Sequence, residues 1–220
     1  MEDVFRNIRA VGFDLDGTLY AQTPQMDEEI ADLIAAKILL KLPELKDLAN
    51  AKEFSEKKYR EFESRKKTLE SVGYTNAGEI MEEVFRAADN ARFLTKDERL
   101  VDLLKEIKKA KEYVYIITTA PEAEAKKKLG KLGVGETIFD IIICGDHPLI
   151  AQKPKDEIIF RHVVELSGIP AENHVYIGDR EKSDIRAPQS IRMKAIAVGN
   201  DIAHADAYAA RIYDIKTILL

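Results

Sequence analysis

Two carboxylates stand one residue apart in Val11-Gly12-Phe13-Asp14-Leu15-Asp16-Gly17-Thr18-Leu19-Tyr20, where an apolar run ends. In a strand, residues i and i+2 face the same side, and a glycine directly afterwards permits the sharp exit that exposes them. Asp14 and Asp16 so placed suit two chemistries. They can bind a cation, or they can divide labour, Asp14 as nucleophile and Asp16 as acid and base, if their surroundings drive their pKa values apart. A strand that merely ends in an Asp-Gly turn has the same local sequence, so residues elsewhere must decide between site and turn.

Three further features bear on the choice. Ile116-Ile117-Thr118-Thr119 ends an apolar run in hydroxyls, and the Thr118 hydroxyl can donate to a phosphate oxygen. Lys153-Pro154 sets a cation directly before a helix whose first position is proline, which delivers the ammonium near a helix N-terminus. Val175-Tyr176-Ile177-Gly178-Asp179, followed by Asp184, ends a third run at a glycine and adds two more carboxylates. Taken singly, each has an ordinary structural explanation: Thr118 can satisfy a backbone group, Lys153 can lie on the surface, and Asp184 can favour a helix dipole. Their coincidence at three strand ends and one helix start favours a catalytic site.

The elements that must position these residues are legible in the hydrophobic pattern. Apolar runs bounded by turn signals recur at 8–15, 113–117, 139–144, 174–177 and 194–198 and read as buried strands. Helical patterns lie between the later ones, at 122–132, at 156–166 opened by Pro154, and in a short stretch after Ser183. Alternation of strand and helix predicts an α/β fold, a doubly wound parallel sheet covered on both faces, with ligands at the carboxyl ends of its strands. From about Asp27 to Arg92 helix follows helix without a strand. Ile30, Leu33, Ile34 and Ile38 form one stripe and Ile80, Met81, Val84, Phe85 and Ala88 another, with Phe54, Tyr59, Phe62 and Leu69 a weaker third. Asn76 before Glu79 and Thr95 before Glu98 read as capping boxes. The boundaries predict a core of residues 1–20 and 93–220 and an inserted helical domain of 21–92.

With the four features in order, the chain resembles the haloacid dehalogenase superfamily, mostly phosphatases: Asp14-Leu15-Asp16-Gly17-Thr18 matches its first motif, Thr118 the second, Lys153 the third, and Gly178-Asp179 with Asp184 the fourth. The match spans Val11 to Gly199, and the helical insertion is similar to the cap of the family's first cap class. The resemblance implies a Rossmann-like core with a cap, and a Mg2+-dependent phosphatase acting on a small phosphorylated metabolite through an aspartyl-phosphate at Asp14. In that reading Asp16 is the acid and base, and Thr118, Thr119 and Lys153 hold the phosphate. The metal is held by the side chains of Asp14 and Asp179 and the backbone carbonyl of Asp16, while Asp184 orients a metal-bound water or Lys153. Cap hinges fall near 19–23 and 91–95.

Elementary electrostatics agrees with a cation. Asp14 and a phosphate monoester are both anionic, and two unit charges about 4 Å apart repel by about 4 kcal/mol at an effective dielectric near 20. A hard cation held by oxygens offsets that, and Mg2+ suits a site with few carboxylates because it keeps several waters. Thr119, Arg180, Glu181, Pro188 and Arg192 depart from the usual pattern, Thr119 standing where many relatives carry asparagine. Pro188 requires the first turn of a helix, and Arg192 takes a place often small or glycine. Asp16 argues against C-halogen hydrolysis, which needs no acid there. A phosphomutase would use the same residues, and a non-catalytic phospholigand-binding protein would not need them all. Tyr20 recurs in some relatives acting on nucleoside monophosphates; phosphoglycolate-like and sugar phosphates are the other candidate substrates.

Composition excludes several classes. Of 220 residues 33% are charged, yet the formal net charge is only -5 with both signs interspersed, so neither a nucleic-acid polymer nor a membrane surface is an expected partner. The single cysteine, Cys144, follows an apolar run and reads as a buried structural thiol. No apolar leader or bilayer-length segment is present, and a cytoplasmic protein is expected. His147, His162, His174 and His204 lack metal-ligand spacing and read as structural or surface residues.

Overall fold

Every residue of the first apolar run that pairs as strand is buried, and that strand, β1 (Ala10–Phe13), lies at the centre of a six-stranded sheet. The computed structural model describes residues 4–62, 64–152 and 155–220. Along the chain, β1 is followed by four helices, α1 (Pro24–Lys41), α2 (Leu48–Phe62), α3 (Arg65–Ser71) and α4 (Ala77–Ala88). Then come α5 (Glu98–Ala110), β2 (Tyr113–Ile117), α6 (Glu122–Leu132), β3 (Ile141–Ile143), α7 (Pro148–Gln152) and α8 (Glu157–Ser167). The last strands are β4 (His174–Gly178), β5 (Lys194–Val198) and β6 (Ala207–Ala209). Strand order is β3-β2-β1-β4-β5-β6 and every pairing is parallel, which confirms the doubly wound α/β sheet. No helix among the described residues is long and apolar enough to cross a membrane.

Contacts divide the chain into two compact units, Met1–Ala21 with Leu94–Leu220, and Gln22–Phe93. In the sheet unit, alternate strand residues bury opposite faces. Tyr115, Ile117 and Tyr176 pack with Ile159, Phe160 and Val163 of α8 in one core cluster, while Ala195 and Ala197 meet Ile185 in another. His174 is part of the structure: it is fully buried, with Nε2 3.1 Å from the Ile169 carbonyl, and burial lowers its pKa to about 4. Cys144 is buried too, its thiol pushed up to about 12 by burial with Asp146 adding in the same direction.

In the helical unit, Ile34 and Ile38 of α1 pack with Leu69 of α3 and Ile80, Met81 and Val84 of α4, the two strong stripes of the sequence. The weaker third stripe is split between α2 and α3, and what α2 buries fully is small: Ala51 and Ser55.

Two local expectations are corrected, both of them capping boxes. Helix α5 is capped by Asp97, whose side chain accepts from the Leu100 amide at 3.0 Å, rather than by Thr95. Asn76 stands at the N-cap of α4, but its side chain accepts no backbone bond there and its amide instead donates to the Glu79 side chain at 3.1 Å. Helix α8 opens at Asp156, as the sequence pattern places it, with the Asp156 carboxylate accepting from the Ile158 amide at 2.9 Å; Pro154 lies outside the described residues. Pro188 does fall in a first helical turn, that of the short α-helix Ala187–Gln189, which a π-helical turn over Glu181–Arg186 precedes.

Candidate active site

Asp14, Thr118 and Asp179 each directly follow the last residue of a strand, β1, β2 and β4, and those three strands are neighbours. The chain crosses from one side of β1 to the other there, which is the switch point at which doubly wound sheets bind ligands. The ladder continues into the site: the Asp14 amide donates to the Ile177 carbonyl and the Thr118 amide to the Ile143 carbonyl, both at 2.9 Å. After Asp16 the chain turns at Gly17 with φ +80°, a conformation that L side chains rarely adopt. A Cβ on Gly17 would also lie 2.5 Å from Asp179 Oδ2, so the missing side chain makes room for that carboxylate.

Among the described residues, the cation against Asp14 is Lys155. Its Nζ donates to Asp14 Oδ1, to Asp184 Oδ1 at 2.9 Å and to the Tyr176 hydroxyl at 3.4 Å. Tyr176 in turn donates to the Ile117 carbonyl at 2.7 Å. Lys153, expected in this role, and Pro154 lie outside the described residues. Lys155 stands directly before Asp156, the N-cap of α8, and so delivers its own ammonium at that helix start. Asp184 is fully buried, and its other oxygen accepts from the Arg180 amide at 3.1 Å. It therefore anchors both Lys155 and the turn after β4.

Asp16 has different partners. Lys128 of α6 donates to Asp16 Oδ1 at 2.5 Å, and the Tyr20 hydroxyl donates to the same oxygen. Lys128 is only 4% exposed. It was not legible as a site residue because Lys126-Lys127-Lys128 reads as a solvated run. The available signal was that Lys128 falls in helical register with Ala125, Leu129 and Leu132, on the face that α6 buries.

These surroundings drive the two carboxyls apart. Burial pushes the Asp14 carboxyl well above the ordinary carboxylate range against the pull of Lys155, with the charge of Asp184 adding to the rise. Burial acts on Asp16 in the same sense, but the Lys128 charge and the hydrogen bonds from Lys128 and Tyr20 outweigh it and hold Asp16 below the ordinary range. Lys155 stays charged: burial opposes its ammonium, and Asp14 with Asp184 more than offsets that. Asp179 is pushed up by burial, with Asp184 adding and Arg180 opposing.

Thr118 is fully buried, and its Oγ1 accepts from the Ala120 amide at 3.1 Å. Its own hydroxyl proton remains to be donated. Thr119, next in the chain, is exposed.

The donors fit a hard divalent cation. Ligand oxygens of Asp14, Asp179 and Asp184 all lie within 4.8 Å of one another, and Asp179 Oδ1 is buried with no hydrogen-bond partner. Among the described residues, Asp14, Asp16, Asp179 and Asp184 face the cations Lys128, Lys155 and Arg180, four carboxyl groups to three cations. An all-oxygen, anionic donor set suits Mg2+ or a similar ion rather than a soft metal. Asp184 already spends one oxygen on Lys155 and the other on the Arg180 amide, so Asp14 and Asp179 are the better placed ligands.

Known proteins agree with this architecture. The chain is 24% identical over 215 residues to the phosphoglycolate phosphatase of Pseudomonas fluorescens, an alignment that covers 89% of this chain and 71% of that one. Among solved structures it superposes on a HAD phosphatase from Thermococcus onnurineus with a TM-score of 0.71 at 19% identity, covering 96% and 98% of the two chains. The HAD-hydrolase YfnB of Bacillus subtilis, bound to magnesium, superposes with a TM-score of 0.61 at 18% identity, over 96% and 98%. At such identities these superpositions establish the fold. The family model of haloacid dehalogenase-like hydrolases matches residues 8–191, a span that holds all the strand-end residues described above, and the chain is a member of that hydrolase family.

Proposed function

We infer that the protein is a Mg2+-dependent phosphatase that hydrolyses a small phosphate monoester through an aspartyl-phosphate at Asp14. The observation that carries the reading is geometric: adjacent strand ends bring Asp14, Thr118 and Asp179 together, with Lys155 bonded to Asp14 and Lys128 to Asp16. In the first step an Asp14 oxygen forms a bond to phosphorus as the bond to the leaving oxygen breaks, and Asp16 gives that oxygen a proton. In the second, water attacks phosphorus, its proton passes to Asp16, and Asp14 leaves as carboxylate. Thr118 donates its hydroxyl to a phosphate oxygen, and Lys155 places a positive charge beside Asp14 where charge gathers in the transition state. Asp14, Asp179 and the Asp16 carbonyl would hold Mg2+, which when bound supplies charge neutralisation between nucleophile and phosphate. The helical unit, inserted between the first and second motifs, is assigned the choice of substrate.

The Pseudomonas relative makes phosphoglycolate the first substrate to try, with nucleoside monophosphates and sugar phosphates beside it. Phosphate release from such a panel, with Mg2+ and with chelator, tests the reading. Turnover that depends on Mg2+ and falls by about 10⁴-fold or more in Asp14→Asn is the expected result. Turnover that survives Asp14→Asn would overturn the covalent route.

A further inference from the structure

The residues α6 buries are Glu124, Ala125, Lys128, Leu129 and Leu132. At position 128 a leucine would satisfy the packing pattern, and a lysine there gives up hydration that only a partner can replace. That partner is Asp16, at 2.5 Å, with side-chain exposures of 5% for Lys128 and 17% for Asp16. The Tyr20 hydroxyl reaches Asp16 from the turn after β1. Among the described residues, both side-chain hydrogen bonds to Asp16 fall on Oδ1. Two donors from different elements on one oxygen fix the rotation of the carboxylate and direct Oδ2 elsewhere. Oδ1 can accept both bonds whether or not Oδ2 carries a proton, so the clamp holds through an acid-base cycle.

We propose that Lys128 is a positioning residue for the acid-base step, clamping Asp16 by Oδ1 so that Oδ2 addresses the leaving oxygen. The proposal rests on the phosphatase reading for the step it serves, though not for the contact itself. In the step, the proton on Asp16 Oδ2 moves to the leaving oxygen as the P–O bond breaks, and water restores it to Oδ2 in the second half. Lys128 keeps its protons throughout.

Two esters separate this role from simple packing. p-Nitrophenyl phosphate loses its leaving group without needing a proton; glycerol 2-phosphate does not. Lys128→Met should lower kcat on glycerol 2-phosphate by roughly 10- to 100-fold with little change in KM, as expected when a reacting group is misplaced. On p-nitrophenyl phosphate the loss should be no more than about threefold, because the acid step contributes little there. Lys128→Arg should recover part of the difference, and in an Asp16→Asn background Lys128→Met should add no further loss. Equal losses on the two esters, or additive losses, would overturn the role. In the metal-free protein, the Lys128 ammonium should give an exchange-protected 15Nζ signal that shifts in Asp16→Asn. An unprotected signal indifferent to that change would overturn the contact, independently of any activity. Wild-type protein that hydrolyses neither ester would count against the phosphatase reading, with the ammonium signal still deciding the contact.

Discussion

The surroundings of Asp14 and of Asp16 make an instructive pair. Asp14 is buried and Asp16 half-buried, both are bonded to one buried lysine, and both lie in the same turn after β1. The difference is how many carboxylates each cation serves. Lys155 is shared between Asp14 and Asp184, with Asp179 close by, so Asp14 is under-compensated. Among the described residues Lys128 is paired with Asp16 alone and is seconded by the Tyr20 hydroxyl, so Asp16 has the better share of donors. Burial and the partition of cations together separate the two groups, and they leave the Asp14 side as the one that gains from an added positive ion.

The largest expected effect breaks the shared cation. Lys155→Met leaves Asp14 and Asp184 buried without their common partner, and removal of one member of a buried ionic cluster costs about 3–5 kcal/mol. Lys128→Met strands one carboxylate that keeps some exposure, and about 1–3 kcal/mol is expected. Urea unfolding of the metal-free variants measures both. Equal losses would mean that sharing does not distinguish the two regions.

The carboxylates themselves should then respond with opposite signs. The Asp14 pKa is raised on folding, so its contribution is present below the unfolded carboxylate pKa and is lost as pH rises through the folded value. The Asp16 pKa is lowered, so its contribution is present above the unfolded value and is lost as pH falls through the folded one. At pH 7.5, without metal, Asp14→Asn should stabilise the protein and Asp16→Asn should destabilise it, the two differing by about 2–4 kcal/mol. Shifts of the same sign in urea unfolding would refute the division.

The strand ends were legible where the lysines were not, and the reason is physical. Asp14, Thr118 and Asp179 are fixed by where apolar runs stop, and a buried parallel strand announces its end clearly. A lysine carries its charge some 6 Å from its backbone on a flexible stem, so its position in sequence says little about where the charge arrives. Lys153 and Lys155 flank the same proline, and only the cap at Asp156 shows which one adjoins the helix. Lys128 sits in a run of three lysines. Strand β6 is three residues of Ala-Tyr-Ala, too short for any period to show.

A histidine outside the site would confuse acid titrations and sets the next prediction. Burial keeps His174 neutral, its pKa falling from 6.5 to about 4. Its folded form disfavours the proton, so stability is complete above about pH 6.5 and falls as pH drops toward 4, by about 3 kcal/mol. His174→Gln should flatten the profile of urea midpoints across that window. What slope remains in the variant, with the sign expected of Asp16, then belongs to the carboxylate clusters.

The smallest effect lies beyond both clusters, where the helical turn before β5 ends. The Met193 amide donates to the Pro188 carbonyl at 3.2 Å and the Arg192 amide to the Gln189 carbonyl at 2.9 Å, the paired bonds of a Schellman motif. Arg192 occupies its left-handed position with φ +73°, where glycine is usual, which explains why the family pattern favours a small residue there. Left-handed backbone costs a non-glycine residue about 1–2 kcal/mol, partly offset by the greater chain entropy glycine loses on folding. Arg192→Gly should therefore raise stability by about 0.5–1 kcal/mol and leave turnover unchanged. A thermal melt with a parallel activity assay reads both. A gain in stability that came with a loss of turnover would tie this turn to the Asp14 and Asp16 networks, and the contrast between them would have to be redrawn to include it.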